Sequence, residues 1–597
     1  MKNILILAGL MWVTNTASAQ WTIKESLLKG SNLETVLKTN PYLVHVVPDK
    51  EWDSSNYAAP EDLQWFKEAK YGMFISFGLS TFVGKELSWG TITDRVLPDK
   101  RSPVPLYPKE VWTSWADSLK LERFSKEELA DIIRQSGMKY LVLVVKHHEG
   151  FHLWDTKYSE FKSTNSPYGK DFLKEVIDAC HMAGIKVGIY YSQRDWYHPD
   201  YQPIDSNTVV RSDTPPFYKA KDQTGMKPGK RHEKYIEYQF NVVRELCTNY
   251  GKIDIFWFDA NYWGGMFTAD MWRAEELTRM IWKLQPGILI NNRASIPGDF
   301  DTPEQRIGMF QNRRPWETCM TLCNTWSYSP TPVKSPLTVF QKLQSAAIGD
   351  GNLLLSWGMK WDGSWDEVQK ETLIEVGKYL EKYGCAIYHT QGGPWLPRKW
   401  GGTTFREDTV YVHILKKPEE GTIFLPSLPG FKVKASEDMS GSSLKCIPVE
   451  GGYQIDLSSM EAITSPVVLK LWTDRKLEKS DVESAVGASS GENLTLLAYG
   501  KMHSGRTVRI SLHGVKNVRK VVIKPEHSLT GNVELCFSDD GKNWKDQLKV
   551  ELTGKKTEIP VTSYVAGALL DGKDTGYVEI RFPQHIGTAV SCQVYGE

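Results

Sequence analysis

The run Tyr140-Leu141-Val142-Leu143-Val144-Val145 is followed directly by Lys146-His147-His148-Glu149-Gly150-Phe151. Six successive apolar residues are typical of a strand buried on both faces, as in a parallel sheet covered by helices. A polar segment that begins where such a strand ends lies at the edge of the sheet where α/β folds build their sites. This stretch therefore predicts both the kind of fold and the position of its functional residues.

Apolar runs alternate with helical segments from about residue 61 to residue 385. The other apolar runs are Tyr71–Phe77, Val187–Tyr191, Ile253–Phe258, Ile288–Asn291 and Leu353–Trp357, and the candidate helices are Ser125–Gln135, Lys170–Ala183, Glu233–Tyr250 and Ala274–Leu284. A (β/α)8-like barrel fits a segment of this length. The alternative is a doubly wound open sheet, but no glycine-rich phosphate turn follows the first strand.

The chain outside residues 61–385 divides into four further parts. Residues 1–19 have a cationic start, a short apolar run and Ala17-Ser18-Ala19, the pattern of a signal peptide, which predicts a periplasmic or secreted protein beginning near Gln20. Residues 20–60 are predicted to be an ordered lead-in. Short alternating segments over residues 386–474 and 490–597 predict two β-sandwich domains.

Composition restricts the class of partner. Lys plus Arg and Asp plus Glu both total 72, so the chain has no net positive charge that would indicate binding to nucleic acid. No apolar run is long enough to span a bilayer, so no membrane partner is predicted. The 22 Trp residues favour a carbohydrate ligand, because flat indoles stack on the C–H faces of sugars. We expect an oligosaccharide or polysaccharide substrate, and the oligomeric state stays open.

Polar and aromatic side chains follow one predicted strand after another. His147 and His148 follow the second strand, Trp196 follows the third, and Asp259 follows Ile253–Phe258. Such groups together supply the hydrogen bonds and the stacking face that a bound pyranose requires. Asp259 could instead cap the next helix. The paired histidines could instead bind a metal, although no carboxylate completes a recognisable ligand spacing, so neither metal nor cofactor is predicted.

Hydrolysis of a glycoside needs two carboxyl groups on either side of the scissile bond. Asp259 is the candidate nucleophile because it ends an apolar strand. Glu304 and Glu317 both lie in later segments, and their spacing from Asp259 does not decide between them as the acid/base. An apolar wall at Trp316 would raise the proton affinity of Glu317, whereas Pro303 would hold the segment that carries Glu304.

The residues over about 61–390 resemble the retaining α-L-fucosidases of glycoside hydrolase family 29. The resemblance rests on Trp65-Phe66, Tyr71-Gly72-Met73-Phe74-Ile75, Lys146-His147-His148-Glu149-Gly150-Phe151, Gly188-Ile189-Tyr190-Tyr191-Ser192, Trp257-Phe258-Asp259, Thr302-Pro303-Glu304, Trp316-Glu317-Thr318-Cys319 and Asn352-Leu353-Leu354-Leu355. It implies that Asp259 is the nucleophile and Glu304 the acid/base, with Glu317 as second choice. It further implies that the sugar is bound by His147 and His148, and that Trp65, Glu86 and Trp357 line the pocket.

Two departures from the family pattern bear on the substrate. Ser76 stands where the family has a histidine that binds a sugar hydroxyl, and Glu149 stands where it has an aspartate. The smaller Ser76 predicts a larger pocket, so α-L-galactosides are an alternative substrate, because L-fucose is 6-deoxy-L-galactose. A catalytically silent sugar-binding protein and a metal-dependent hydrolase using His147 and His148 are the alternatives from other classes.

The last domain carries a resemblance of its own. The segments Cys536–Trp544 and Tyr577–Phe582 resemble discoidin-like carbohydrate-binding sandwiches. The motif consists of a hairpin turn and a core Trp, so it indicates the fold of the domain and does not identify a sugar site.

Overall fold

The computed structural model describes residues 21–482 apart from 30, 32, 35–36, 38–43, 55–57, 85–86, 89–106, 202–228, 260–268, 308–309, 419–420 and 461, and residues 495–596 apart from 503–504, 512–515, 526, 539–543, 555–556, 567–576 and 587–589. The predicted signal peptide and Glu86 lie outside the described residues. Within the described part, no helix has both the length and the apolar composition needed to cross a bilayer.

A curled parallel sheet of seven strands forms the centre of the fold. A parallel pair, β1 (Trp21–Lys24) and β2 (Val44–Val47), precedes it in the chain. The strands of the sheet are β3 (Tyr71–Ile75), β4 (Tyr140–Lys146), β5 (Lys186–Tyr191), β6 (Ile255–Phe258), β7 (Leu289–Ile290), β8 (Glu317–Thr321) and β9 (Asn352–Trp357). Their order across the sheet is β7-β6-β5-β4-β3-β9-β8, so β7 and β8 form its two edges.

The segment 300–304 closes the sheet into a barrel. Parallel bridges join Phe300 to Asn291 beyond β7, and join Glu304 to Cys319 in β8. The backbone N–H of Cys319 donates to the carbonyl of Pro303 at 3.1 Å. The segment 300–304 therefore occupies the position of the eighth barrel strand, and we call it the eighth stave. The predicted (β/α)8-like barrel is confirmed. Neither β8 nor this stave was predicted as a strand, because both are rich in polar residues.

The short helices Glu25–Leu28 and Asp49–Ser54 follow β1 and β2. Further helices surround the barrel: Pro60–Ala69, Lys109–Ser114, Lys126–Ser136, Phe172–Ala183, His232–Asn249, Ala269–Trp272, Ala274–Leu284, Pro336–Ile348 and Glu367–Tyr383. The helix after Ser125 shows how the sequence sets their ends. The Ser125 hydroxyl accepts from the backbone N–H of Glu128 at 3.2 Å, and Gly137 ends the helix with φ of 77°.

The barrel interior is filled by alternate residues of its strands. These are Phe74, Tyr140, Val142, Val144, Tyr190, Ile255, Trp257, Leu289, Phe300, Cys319 and Leu354, together with Phe66 and Ala69 from the preceding helix. The residues between them pack outward against the helices. Because side chains alternate along a strand, this pattern fixes which residue after each strand faces the mouth of the barrel.

The parallel pair β1–β2 packs near the eighth stave. The indoles of Trp21 and Trp316 meet edge to face at 5.6 Å. The backbone N–H of Thr22 donates to the Asp301 carboxylate at 3.1 Å. Residues 20–60 thus include an ordered pair of strands that buries apolar surface beside the barrel.

Two β-sandwiches follow the barrel. The first has sheets of five and three strands: Gln391–Gly392, Gly401–Arg406, Thr409–Ile414, Val433–Asp438 and Val467–Thr473, and Thr422–Pro426, Cys446–Val449 and Gly452–Asp456. The second has two sheets of four strands: Thr495–Met502, Lys516–Pro525, Thr557–Ala566 and Val590–Gly596, and Gly505–Ser511, Leu529–Ser538, Trp544–Gly554 and Tyr577–Ile586. Each encloses its own apolar cluster, which confirms the predicted fold class.

Candidate active site

Asp259 lies directly beyond the carboxyl end of β6, in the mouth of the barrel. Ile255 and Trp257 face the interior, so the alternation of β6 directs Asp259 to the same side. The Tyr190 hydroxyl donates to its Oδ2 at 2.6 Å, and Arg293 Nη1 donates to its Oδ1 at 3.1 Å. Burial raises the pKa of the Asp259 carboxyl, while Arg293 and the Tyr190 hydroxyl act in the opposite direction.

Arg293 contacts both candidate catalytic residues. Its Nη2 donates to the Glu304 carboxyl group at 3.0 Å, while Nη1 contacts Asp259. The guanidinium lies 4.5 Å above the ring of Trp257, and its Nε donates to the hydroxyl of Thr302 at 2.9 Å. These contacts hold one rigid, buried cation between two carboxyl groups that lie 45 positions apart in the chain.

Glu304 sits at the end of the eighth stave, where the bridge to Cys319 fixes its backbone. Its side chain keeps 13% of its surface exposed, so it faces the open mouth of the barrel. The structure therefore brings Asp259 and Glu304 together at one guanidinium.

The histidine pair completes one wall of the mouth. The rings of His147 and His148 stack at 3.9 Å, and a register shift in β4 between Val144 and Lys146 precedes them. A bulge of this kind redirects the residues that follow it. Both imidazoles and the Asp259 carboxylate have ligand atoms within 4.8 Å of one another. This set could hold a metal ion, and it could equally hold the hydroxyl groups of a sugar.

The hydroxyl of Ser192 orients the ring of His148. It lies 2.5 Å from Nδ1 of the imidazole and 3.1 Å from the carbonyl oxygen of Arg194. A hydrogen bond to one ring nitrogen sets the direction in which the other ring nitrogen points. Trp196 contacts the His148 ring edge to face at 4.8 Å, so this predicted residue lies beside the pair.

Ser76 and Glu149, the two departures from the family pattern, lie near each other. The Ser76 hydroxyl is buried 2.8 Å from that of Ser356, which donates to a backbone carbonyl. Glu149 extends toward the end of β3, where a Cβ at Gly78 would lie 2.8 Å from its Oε1. Glycine at this position leaves room for the carboxyl. Burial raises the pKa of Glu149 to about 7, and the short side chain of Ser88 hydrogen-bonds with both Glu149 and His147.

Glu317 lies deeper in the barrel than the two residues joined by Arg293. It is the first residue of β8, and it is fully buried. Its carboxyl accepts from the hydroxyl of Tyr140 and, at 3.2 Å, from the indole N–H of Trp257. Because Arg293 covers the same indole, Trp257 stands between Glu317 and the mouth. Burial raises the pKa of Glu317 to about 7.

Two predicted pocket residues lie elsewhere. Trp65 belongs to the helix before β3 and contacts Tyr140 at 6.0 Å and Lys186 Nζ at 5.5 Å. Both partners begin their strands, so Trp65 lies at the amino end of the barrel, opposite Asp259. Trp357 packs outside the barrel against Trp365 at 4.3 Å, because the alternation of β9 directs its neighbour Ser356 inward. Both predictions are wrong.

Arg293 and Tyr190 are functional candidates that the sequence analysis missed. Arg293 follows a predicted strand, and a buried arginine needs acidic partners. Its position in the sequence could therefore have indicated a contact with the candidate catalytic carboxyl groups. Tyr190 was counted as part of an apolar run. Its position two residues before Ser192 could have placed its hydroxyl on the inner face.

Comparison with known proteins identifies the family of this site. The family model described as Alpha-L-fucosidase matches residues 44–385, more than half of the chain. The chain belongs to the α-L-fucosidase family. The plasma α-L-fucosidase of Homo sapiens is 28% identical over 403 residues, covering 63% of this chain and 80% of the relative. The family model's match over residues 44–385 spans the barrel that carries Asp259, Arg293 and Glu304.

Solved α-L-fucosidase structures share the architecture. Isoenzyme 1 from Paenibacillus thiaminolyticus is 29% identical and superposes with a TM-score of 0.58, covering 69% of this chain and 99% of that one. An α-L-fucosidase from Bacteroides thetaiotaomicron, solved as a trapped covalent intermediate, has the same fold with a TM-score of 0.58 at 24% identity, covering 70% of this chain and 98% of that one.

Replacing Arg293 tests its place between the carboxylates of this family member. In Arg293→Met the loss of the cation raises the pKa of Asp259 further, so the acid limb of kcat/KM should move to higher pH by about one unit. We expect the maximal rate to fall roughly 100-fold, because the carboxylates also lose their positioning. Arg293→Lys is the matched control, which keeps a charge and should move the limb less. An unmoved acid limb in Arg293→Met would contradict this electrostatic role.

Glu317 should make stability depend on pH. Its folded-state pKa of about 7 lies above the ordinary 4.5, so its contribution is complete below pH 4.5 and is lost as the pH rises through 7. Glu317→Gln cannot ionise, so the stability of wild type relative to this variant should fall over that interval by on the order of 3 kcal/mol. Urea unfolding at pH 4.5, 6 and 7.5 measures the difference. A constant difference would show that Glu317 is ionised at neutral pH.

Proposed function

We propose that this protein is a retaining exo-glycosidase that hydrolyses terminal α-L-fucosides through a covalent glycosyl-enzyme. The observation that carries the proposal is that Asp259 and Glu304 meet at Arg293 in the mouth of the barrel. A nitrogen of each of the paired imidazoles lies within 4.8 Å of a carboxyl oxygen of Asp259. Two carboxyl groups beside a wall of hydrogen-bonding side chains are what double displacement on a sugar requires.

In the first step Asp259 attacks the anomeric carbon of the bound sugar. The bond from this carbon to the glycosidic oxygen breaks while Glu304 gives that oxygen its proton, and an ester forms with Asp259. The Tyr190 hydroxyl and Arg293 support this role because they hold the nucleophile in position from two sides. The partly exposed side chain of Glu304 can reach a leaving group that departs toward solvent.

In the second step water attacks the same carbon and the ester to Asp259 breaks. Glu304, now a carboxylate, takes the proton of the water, and two inversions give the sugar its original configuration. The stacked imidazoles of His147 and His148 suit hydrogen bonds with sugar hydroxyls throughout both steps.

Hydrolysis of 4-nitrophenyl α-L-fucoside followed by NMR tests the proposal. We expect release of nitrophenol, with α-L-fucose as the first sugar product before mutarotation. The matched α-L-galactoside, which differs only by the hydroxyl at C6, is the control for specificity and should react more slowly. Initial release of β-L-fucose, or turnover of neither glycoside, would contradict the proposal.

We propose that the protein is exported, to the periplasm or outside the cell. The support is the pattern of residues 1–19, with its short apolar run and the small residues Ala17-Ser18-Ala19. Mass spectrometry of the protein purified from the producing cells should find Gln20 at the amino terminus. A mature chain that retains Met1 would contradict export by this route.

We propose that residues 490–597 form a discoidin-like module. Its two four-stranded antiparallel sheets around a common apolar cluster support this classification, as does the sequence of Cys536–Trp544. An experimental structure of the full chain, compared strand by strand with discoidin domains, tests it. A different strand order would contradict it.

A further inference from the structure

A partly exposed row of aromatic rings lies on the same side of the barrel as the candidate active site. The row consists of Trp115, Phe82 and Trp361, and we call it the aromatic row. The ring of Phe82 lies 6.1 Å from that of Trp115 and 6.1 Å from that of Trp361, with interplanar angles of 24° and 26°. Trp361 keeps 50% of its surface exposed. The three rings are therefore close to parallel, and the indole of Trp361 at one end of the row is its most exposed member.

The chain places the aromatic row at the carboxyl ends of the strands. Phe82 ends the short helical turn Leu79–Phe82 that follows β3, and Trp361 comes four residues after the end of β9. Asp259 follows β6 at the same end of the barrel. In a parallel barrel these ends lie on one face, so the row and the active-site mouth share that face.

Hydrogen bonds hold the aromatic row in a fixed arrangement. The backbone N–H of Lys360 donates to Ser364 at 3.0 Å, and that of Gly363 donates back to Lys360 at 3.0 Å, which closes the turn that carries Trp361. The Thr81 hydroxyl donates to the carbonyl of Met359 at 2.6 Å and ties this turn to the segment of Phe82. A half-exposed indole on a fixed turn is ready to bind a ligand without the entropic cost of ordering it.

The rings are also supported from behind. Trp112 is buried and packs 4.8 Å from Trp115, and Tyr107 meets Trp115 edge to face at 5.0 Å. A half-exposed indole with this support presents its apolar surface at a fixed position. Such an indole suits stacking on the C–H face of a pyranose ring.

We propose that the aromatic row binds further pyranose units of the glycan whose terminal sugar occupies the active site. This inference rests on the proposed function, because an exo-acting enzyme encloses only the terminal sugar. The rest of the glycan must then leave across the carboxyl-end face, where Trp361 and Phe82 lie. The row thus favours fucosylated oligosaccharides over substrates that carry a small leaving group.

The test compares substrates with and without further sugars. In Trp361→Ala, kcat/KM should fall roughly three- to tenfold for the longest fucosylated oligosaccharide that the wild type cleaves, mainly through KM. Hydrolysis of 4-nitrophenyl α-L-fucoside should stay within about twofold of wild type. Trp472→Ala, a partly exposed indole in the first sandwich, is the matched control and should change neither value.

Two outcomes would overturn the proposal. One is an equal loss on both substrates, which would assign Trp361 to folding or to the active site. The other is an unchanged kcat/KM for the oligosaccharide in Trp361→Ala and in the double variant Phe82→Ala/Trp361→Ala. Failure of the wild type to cleave the aryl fucoside would instead contradict the proposed function. In that case, quenching of tryptophan fluorescence by the oligosaccharide, compared between wild type and Trp361→Ala, still tests the row.

Discussion

Asp259→Gly should lower kcat on 4-nitrophenyl α-L-fucoside by about 10³-fold or more, because no other group takes the place of the attacking carboxylate. The variant should remain folded, because Asp259 lies beyond the end of β6 and Arg293 keeps its contacts with Glu304 and Thr302. Steady-state rates measure the loss, and far-UV circular dichroism checks the fold. Activity close to that of wild type would remove Asp259 from the mechanism.

Rescue by azide distinguishes the loss of the nucleophile in Asp259→Gly from a general disruption of the active site. The space left by the Asp259 side chain admits the small anion, which attacks the substrate directly and gives the fucosyl azide of inverted configuration. Asp254→Asn is the matched control, because Asp254 lies just before the amino end of β6 and contacts the backbone of Val187 at 3.0 Å. It should keep its hydrolytic rate and form no azide product.

Glu304→Ala should have an effect that depends on the leaving group. A natural alcohol needs a proton to depart, so hydrolysis of a fucosylated oligosaccharide should fall by about 10²- to 10⁴-fold. Nitrophenolate departs without help, so the first step on the aryl fucoside should be much less affected. Azide should then accelerate turnover and give the azide of retained configuration, because it attacks the glycosyl-enzyme in place of activated water.

The corresponding variant of Glu317 separates the two acid/base candidates. Glu317→Gln keeps the shape of a side chain that contacts Tyr140 and Trp257 beneath the mouth. Its effect on rate should be similar for good and poor leaving groups, and azide should yield no fucosyl azide. If the leaving-group dependence and azide product appear for Glu317→Gln and not for Glu304→Ala, the assignment of Glu304 is wrong.

The sequence predicted the parts of the site that depend on local pattern. An apolar strand that ends in His147-His148, and another that ends in Asp259, are visible in one segment each. Parallel strands bring their carboxyl ends to one face, so these residues could be assigned to a common site. The positions of Trp65 and Trp357 could not be predicted in this way. The helix Pro60–Ala69 places Trp65 at the amino end of the barrel. Trp357 points outward because neighbouring positions on a strand face opposite sides.

What the sequence by itself determined is the barrel class, the sandwiches that follow it and the candidate nucleophile, because each follows from hydrophobic period and strand-end chemistry. Only the tertiary structure decided that a polar segment closes the barrel as its eighth stave and carries Glu304 to Arg293. It likewise set Glu317 beneath Trp257. These relations depend on contacts between residues far apart in the chain and on burial, which no local pattern of residues encodes.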